Sequence, residues 1–220
     1  MVSLAVFGTF ATAAADAEAI TISVVGVDSG AYSTATAVVE FNAQTNTLTF
    51  TVTNTSAITQ PGSTSTITSL GFDLPPLGNA SASGLNGFTG MQAPSLSSTF
   101  TFSDAALGNV PHGFNSVVLD FGFLTGSSGN FSSGSVNDGL LPGESASFTV
   151  SGAAFAGFTE TLIANSLFVR FQNVPLAGGS EGSDVGVPTT VPVPEPSTSL
   201  LLGTALIAAL RGVRRRRATR

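Results

Sequence analysis

Apolar residues fall on every second position over much of this chain. Along TLTFTVTN, Leu48, Phe50 and Val52 alternate with Thr49, Thr51 and Thr53. That period of two belongs to a strand with one face in a core and one in water. The segment TATAVVEF over 34–41 lies before it across NAQTN, and the pair predicts a β-hairpin with a five-residue loop. Further strands are predicted over 20–27, 65–74, 98–103, 116–123, 145–151 and 166–172, rich in β-branched residues and Phe. Gly, Pro, Asn and Ser clusters separate them. Only 157–166, GFTETLIANS, predicts a short helix.

About eight short strands without helical periodicity predict an all-β domain over 20–177. The expected architecture is an antiparallel immunoglobulin-like β-sandwich, with a layer of Phe, Val and Leu between two sheets. LLPGESASFTV resembles the turn and strand of many bacterial immunoglobulin-like modules. Residues 178–192 are rich in Gly, Ser, Pro and Val and are expected to form a flexible exposed linker.

Charge changes the picture. The chain has no Lys, and six of its seven Arg lie in the last ten of its 220 residues. Residues 1–210 hold thirteen acids against Arg170 alone, a net −12. So acidic a body does not suit a phosphate backbone, and nucleic acid is excluded as a partner. Only 9% of residues are charged, against about 25% in an average soluble domain. Ser, Thr, Asn and Gly must therefore keep the surface wet, a composition common among exported bacterial surface proteins. Cysteine is absent, which rules out a disulfide frame, a thiolate metal site and a cysteine nucleophile.

Residues 1–19 read as the remnant of a signal peptide. An apolar stretch from Leu4 to Phe10 precedes small-x-small sites such as Ala15-Asp16-Ala17, and a start upstream of Met1 would supply the missing positive residues. At the other end, Leu200, Leu201, Leu202, Leu206, Ile207 and Leu210 form an apolar run without a polar face. Counted from Ser197 to Val213, it approaches the lower limit of about 17 residues for a single transmembrane helix. Arg211, Arg214, Arg215, Arg216 and Arg217 follow as a stop-transfer cluster on the cytoplasmic side. Before the run stands Val193-Pro194-Glu195-Pro196-Ser197, held extended by its two prolines.

Motif, short helix and basic end in that order over 193–220 resemble the PEP-CTERM sorting signal, a segment also known as the ice-binding protein C-terminal domain. The resemblance implies export across the inner membrane of a Gram-negative bacterium and transient anchoring by the helix. Recognition by exosortase and removal of the tail near Pro194, Glu195 and Pro196 would follow. Release to the cell envelope or extracellular matrix, in association with exopolysaccharide and biofilm, is the implied destination.

Candidate chemistry in the body is sparse. His112, the one histidine, lies in NVPHGFN without a serine elbow or partner motif, and reads as a turn residue. The Gly-x-Ser-x-Gly pattern of hydrolases is absent, and GNASASGLNGFTG lacks the lysine of a phosphate loop. Asp138, Glu181 and Asp184 beside glycines offer oxygen ligands for Ca2+, but no twelve-residue calcium loop surrounds them. They read better as solvated turn acids, and no cofactor is expected. The Thr-x-Thr segments are too few for a stacked ice-binding array. The reading is a non-catalytic exported surface or matrix protein. A calcium- or glycan-binding module is the alternative. A secreted enzyme would require a polar cleft pairing His112 with a carboxylate.

Overall fold

The computed structural model describes residues 19–58, 64–77, 86–95, 98–126, 129–175 and 181–190. The expected signal segment, but for residue 19, and the whole of 193–220 lie outside them. So do the proposed transmembrane run and the arginine cluster. Among the described residues no helix is long and apolar enough to cross a membrane.

The alternating segments become strands. β1 (Ile20–Gly26), β2 (Gly30–Asn42) and β3 (Thr47–Asn54) form an antiparallel meander. β4 (Thr66–Phe72), β5 (Thr89–Gln92), β6 (Thr101–Ser103) and β7 (Phe121–Leu124) follow, then β8 (Ser145–Ser151). One helix, α1 (Glu160–Asn165), precedes β9 (Leu167–Pro175) and β10 (Glu181–Thr190). Thr159 caps α1, its hydroxyl accepting the amide of Leu162.

In place of two sheets, the strands form one ten-stranded antiparallel sheet in the order β5-β8-β3-β2-β1-β10-β9-β4-β7-β6. It curls until its two edges, β5 and β6, stand beside each other, which makes the body nearly a barrel. Closing a sheet in this way removes exposed strand edges, which would otherwise template aggregation. The all-β antiparallel class expected from the sequence is what these residues build, while this single sheet does not confirm the immunoglobulin-like pairing of two separate sheets. Spacing along the chain does not distinguish two facing sheets from one sheet folded over.

The interior is a phenylalanine layer. Leu48, Phe50 and Val52 are buried while Thr49, Thr51 and Thr53 are half-buried or exposed, the register that the alternation predicts. The Phe50 ring on β3 stacks on Phe148 of β8 at 5.0 Å. It also meets Phe72 of β4 edge-on at 5.1 Å, across the interior. Such pairs contribute about 0.5–1.5 kcal/mol beyond burial of their area. On the outer face, Thr51 and Ser147 hydroxyls pair at 2.7 Å, as do Thr53 and Ser145. These cross-strand pairs account for the threonine-rich pattern.

The segment expected to be a linker holds β10, a central strand paired with β1 on one side and β9 on the other. The domain therefore extends to residue 190. Small residues hid this strand from a hydrophobicity reading, yet they are what the position requires. A Cβ on Gly186 would stand 2.7 Å from Val24 Cγ1 and 2.9 Å from a Phe171 ring carbon.

Candidate functional site

A second, smaller apolar cluster lies outside the main core: Leu107, Val110, Leu119, Leu124, Phe131 and Val185. It fastens a long loop to the outer face of the sheet. Leu107 and Leu119 exchange backbone hydrogen bonds of 3.0 and 3.1 Å at the base of that loop. Phe114 meets Phe168 of β9 edge-on at 5.3 Å and holds its far side. Between these anchors, Pro111 to Phe114 form a turn in which His112 (φ 60°) and Gly113 (φ 91°) both take left-handed conformations. The Phe114 amide donates to the Pro111 carbonyl at 3.5 Å. Left-handed backbone is uncommon for a non-glycine residue, though histidine tolerates it better than most. The turn presents the His112 side chain to the β1–β2 turn and to β10.

Three residues converge there. One ligand-type atom each from Asp28, His112 and Asp184 lie within 4.8 Å of one another. His112 Nδ1 is paired with Asp28 Oδ2, and His112 Nε2 lies 3.3 Å from Ser183 Oγ. Asp28 is largely exposed, its side chain at 61%, whereas Asp184 is fully buried. The buried carboxylate accepts amide hydrogens from Ser29 at 2.8 Å, Asp28 at 3.3 Å and its own neighbour Val185 at 2.7 Å. It thereby ties the β1–β2 turn to β10. Glycine at position 26 makes room for it, because a Cβ there would fall 2.1 Å from Asp184 Oδ2.

Chemically, the cluster offers one imidazole nitrogen and two carboxylates, a donor set that divalent metals accept. It also aligns Asp28, His112 and Ser183 in the order of a nucleophilic relay. Ser183, however, lies inside the ladder of β10, paired with Gln172 of β9, and not on a projecting turn. A groove of about 500 Å³, lined by Asp73, Pro75, Thr159, Leu162 and Phe168 among others, contains none of these residues.

The sequence-predicted residues divide accordingly. Asp184 belongs to the cluster. Asp138 and Glu181 are exposed, and the metal-type grouping of Asp184 includes neither. His112 is not the isolated turn residue that its sequence neighbourhood suggested. Asp28 and Ser183 had no motif to reveal them, since Asp28 is 84 residues from His112 and Ser183 is 71. The one available signal was the VDSG turn between two strand patterns, which put an acid at a hairpin tip.

Other buried charges are confined to the scaffold. Burial pushes the Asp120 carboxyl up to about 6, and neighbouring Asp73 adds to the rise. The Leu74 amide, donating to it at 2.7 Å, opposes that rise. Burial likewise lowers the pKa of Arg170, whose guanidinium donates to the Phe131 carbonyl at 3.5 Å.

One family model matches the chain, the PEP-CTERM protein-sorting motif, over residues 192–217. It takes in the Pro-Glu-Pro element, the apolar run and the arginine cluster. No curated protein and no solved structure matches the chain.

Proposed function

We propose, starting from the PEP-CTERM motif at the end of this chain, that the protein is exported, processed by exosortase and displayed on the cell surface or in the extracellular matrix. The observation that carries this reading is the motif match over 192–217. Pro194, Glu195 and Pro196 are the element that the enzyme reads. The apolar run through Leu200 to Leu210 anchors the precursor transiently, and the arginines hold its end in the cytoplasm. The body acts without catalysis, as a rigid module whose facing sheet halves pack like a sandwich, in association with exopolysaccharide. Two features favour this over an enzyme: hydroxyl pairs join β3 to β8 on its outer face, and Ser183 lies within a central strand.

The test is the mass of protein recovered from the envelope of a host that carries exosortase. Wild type should lack the segment beyond roughly Pro196. The double substitution Pro194→Ala, Glu195→Ala should leave the body folded and retain the arginine tail in the inner membrane. Equal masses and equal locations for the two proteins would sink the sorting assignment.

A further inference from the structure

We propose that Asp28, His112 and Asp184 form a binding site for a single divalent transition-metal ion of the Zn2+ class. Convergence is the first argument. Zinc holds nitrogen and oxygen ligands tetrahedrally at about 2.0–2.2 Å, so its ligand atoms stand about 3.3–3.6 Å apart. The three donor atoms here already lie within 4.8 Å of one another. Asp28, the most exposed of them, can supply the remaining movement.

The second argument concerns the two faces of the imidazole. In the metal-bound form Nε2–H would donate to Ser183 Oγ, 3.3 Å away, in the way a metal-bound histidine is commonly held by its outer nitrogen. Nδ1 then turns its lone pair toward the two carboxylates, where a bound cation would replace the proton that otherwise joins His112 to Asp28. Among the described residues no Lys or Arg side chain joins the cluster. Arg170, the sole one before residue 211, donates to the Phe131 carbonyl on β9's outer face.

A third, independent observation comes from orphaned hydroxyls beside the cluster. Ser29 Oγ and Ser33 Oγ are buried without a hydrogen-bond partner. Ser29 follows Asp28 and donates its amide to Asp184, and Ser33 is fully buried. The position where a Gly26 Cβ would fall lies 2.1 Å from Asp184 Oδ2 and 2.6 Å from Ser33 Cβ, so Ser33 flanks the same carboxylate. Oxygen donors are therefore at hand to complete a coordination shell. An imidazole ligand selects zinc, copper or nickel over calcium, which prefers six to eight oxygens. Bound there, the ion would join the His112 loop, the β1–β2 turn and β10 in one clamp.

The experiment uses the full chain, purified and stripped with a chelator, titrated with ZnCl2 and then CaCl2 by calorimetry, with melting curves alongside. Expected are one equivalent of Zn2+ bound, a melting temperature that rises with Zn2+, and Ca2+ binding at least about tenfold weaker. His112→Gln and Asp28→Asn should each weaken Zn2+ binding by tenfold or more. Ser183→Ala should weaken it by about 10–100-fold, as loss of an outer-shell partner does. Asp184→Asn disturbs a buried carboxylate and is not needed for the test. Absence of saturable Zn2+ binding would leave His112 and Asp28 as a plain ion pair and overturn the site. Undiminished binding by His112→Gln would do the same, and Ca2+ binding as tight as Zn2+ would overturn the choice of ion.

Discussion

Gln92 at the end of β5 accepts the amide hydrogen of Phe100, which leads into β6, at 2.7 Å. Its Nε2 donates back to the Ser98 carbonyl at 3.2 Å. One side chain thus does for the two sheet edges what a ladder of backbone bonds does elsewhere. At the other end of the same seam, the Asp104 carboxylate accepts the amides of Gly87 at 2.9 Å and Phe88 at 3.1 Å.

Gln92→Ala should therefore open the seam while leaving the core intact. The buried Phe100 amide would lose its acceptor, a cost of about 1–3 kcal/mol. Hydrogen exchange should quicken at residues 98–103 before it quickens at β3. Uniform acceleration over the whole sheet would show that the side chain does not act as a local clasp.

Asp120 makes stability depend on pH in an uncommon direction. Its carboxyl rises from an ordinary 3.8 to about 6 in the folded chain, chiefly through burial. Between those values the folded state binds more protons than the unfolded state, so this group makes the fold less stable as pH rises. Each pH unit in that window is worth up to about 1.4 kcal/mol. Denaturant midpoints should accordingly increase from pH 7 to pH 5 relative to those of Asp120→Asn. The variant keeps an oxygen for the Leu74 amide but carries no charge. Identical pH profiles would remove Asp120 as the cause.

The strand within the expected linker allows a paired test. Val185 is fully buried beneath the loop cluster, and Thr189 on the same strand is exposed. Val185→Asp should cost more than about 3 kcal/mol, an unpaired charge in an apolar site, whereas Thr189→Asp should stay within about 0.5 kcal/mol. A tether would tolerate both substitutions equally. Chemical denaturation of the two variants decides between strand and tether.

What could be read from residue order was local. Alternation placed β3 with its inward face correct and located β8, because a period of two is visible within a few residues. The short helix and its neighbourhood were legible for the same reason. β5 was missed: Thr89–Gln92 has no alternating apolar pattern, and it becomes a strand only by pairing with β8 and standing beside β6. β10 was missed because its glycines and serines suit close backbone approach but lower its hydrophobicity. The His112 cluster was invisible for a third reason. Asp28 and Asp184 meet through the β1–β10 pairing, so their proximity is a property of topology and not of spacing.

Because β10 lies between β1 and β9, the first and last strands of this body are hydrogen-bonded neighbours. A chain threaded through a translocation channel from its N-terminus would emerge with one edge of β1 unpaired. That edge finds its partner only when residues 186–190 have crossed. The sorting motif begins at residue 192, directly behind. Folding and delivery to the processing enzyme thus become nearly simultaneous events, with the seal on the sheet arriving just ahead of the segment to be cut.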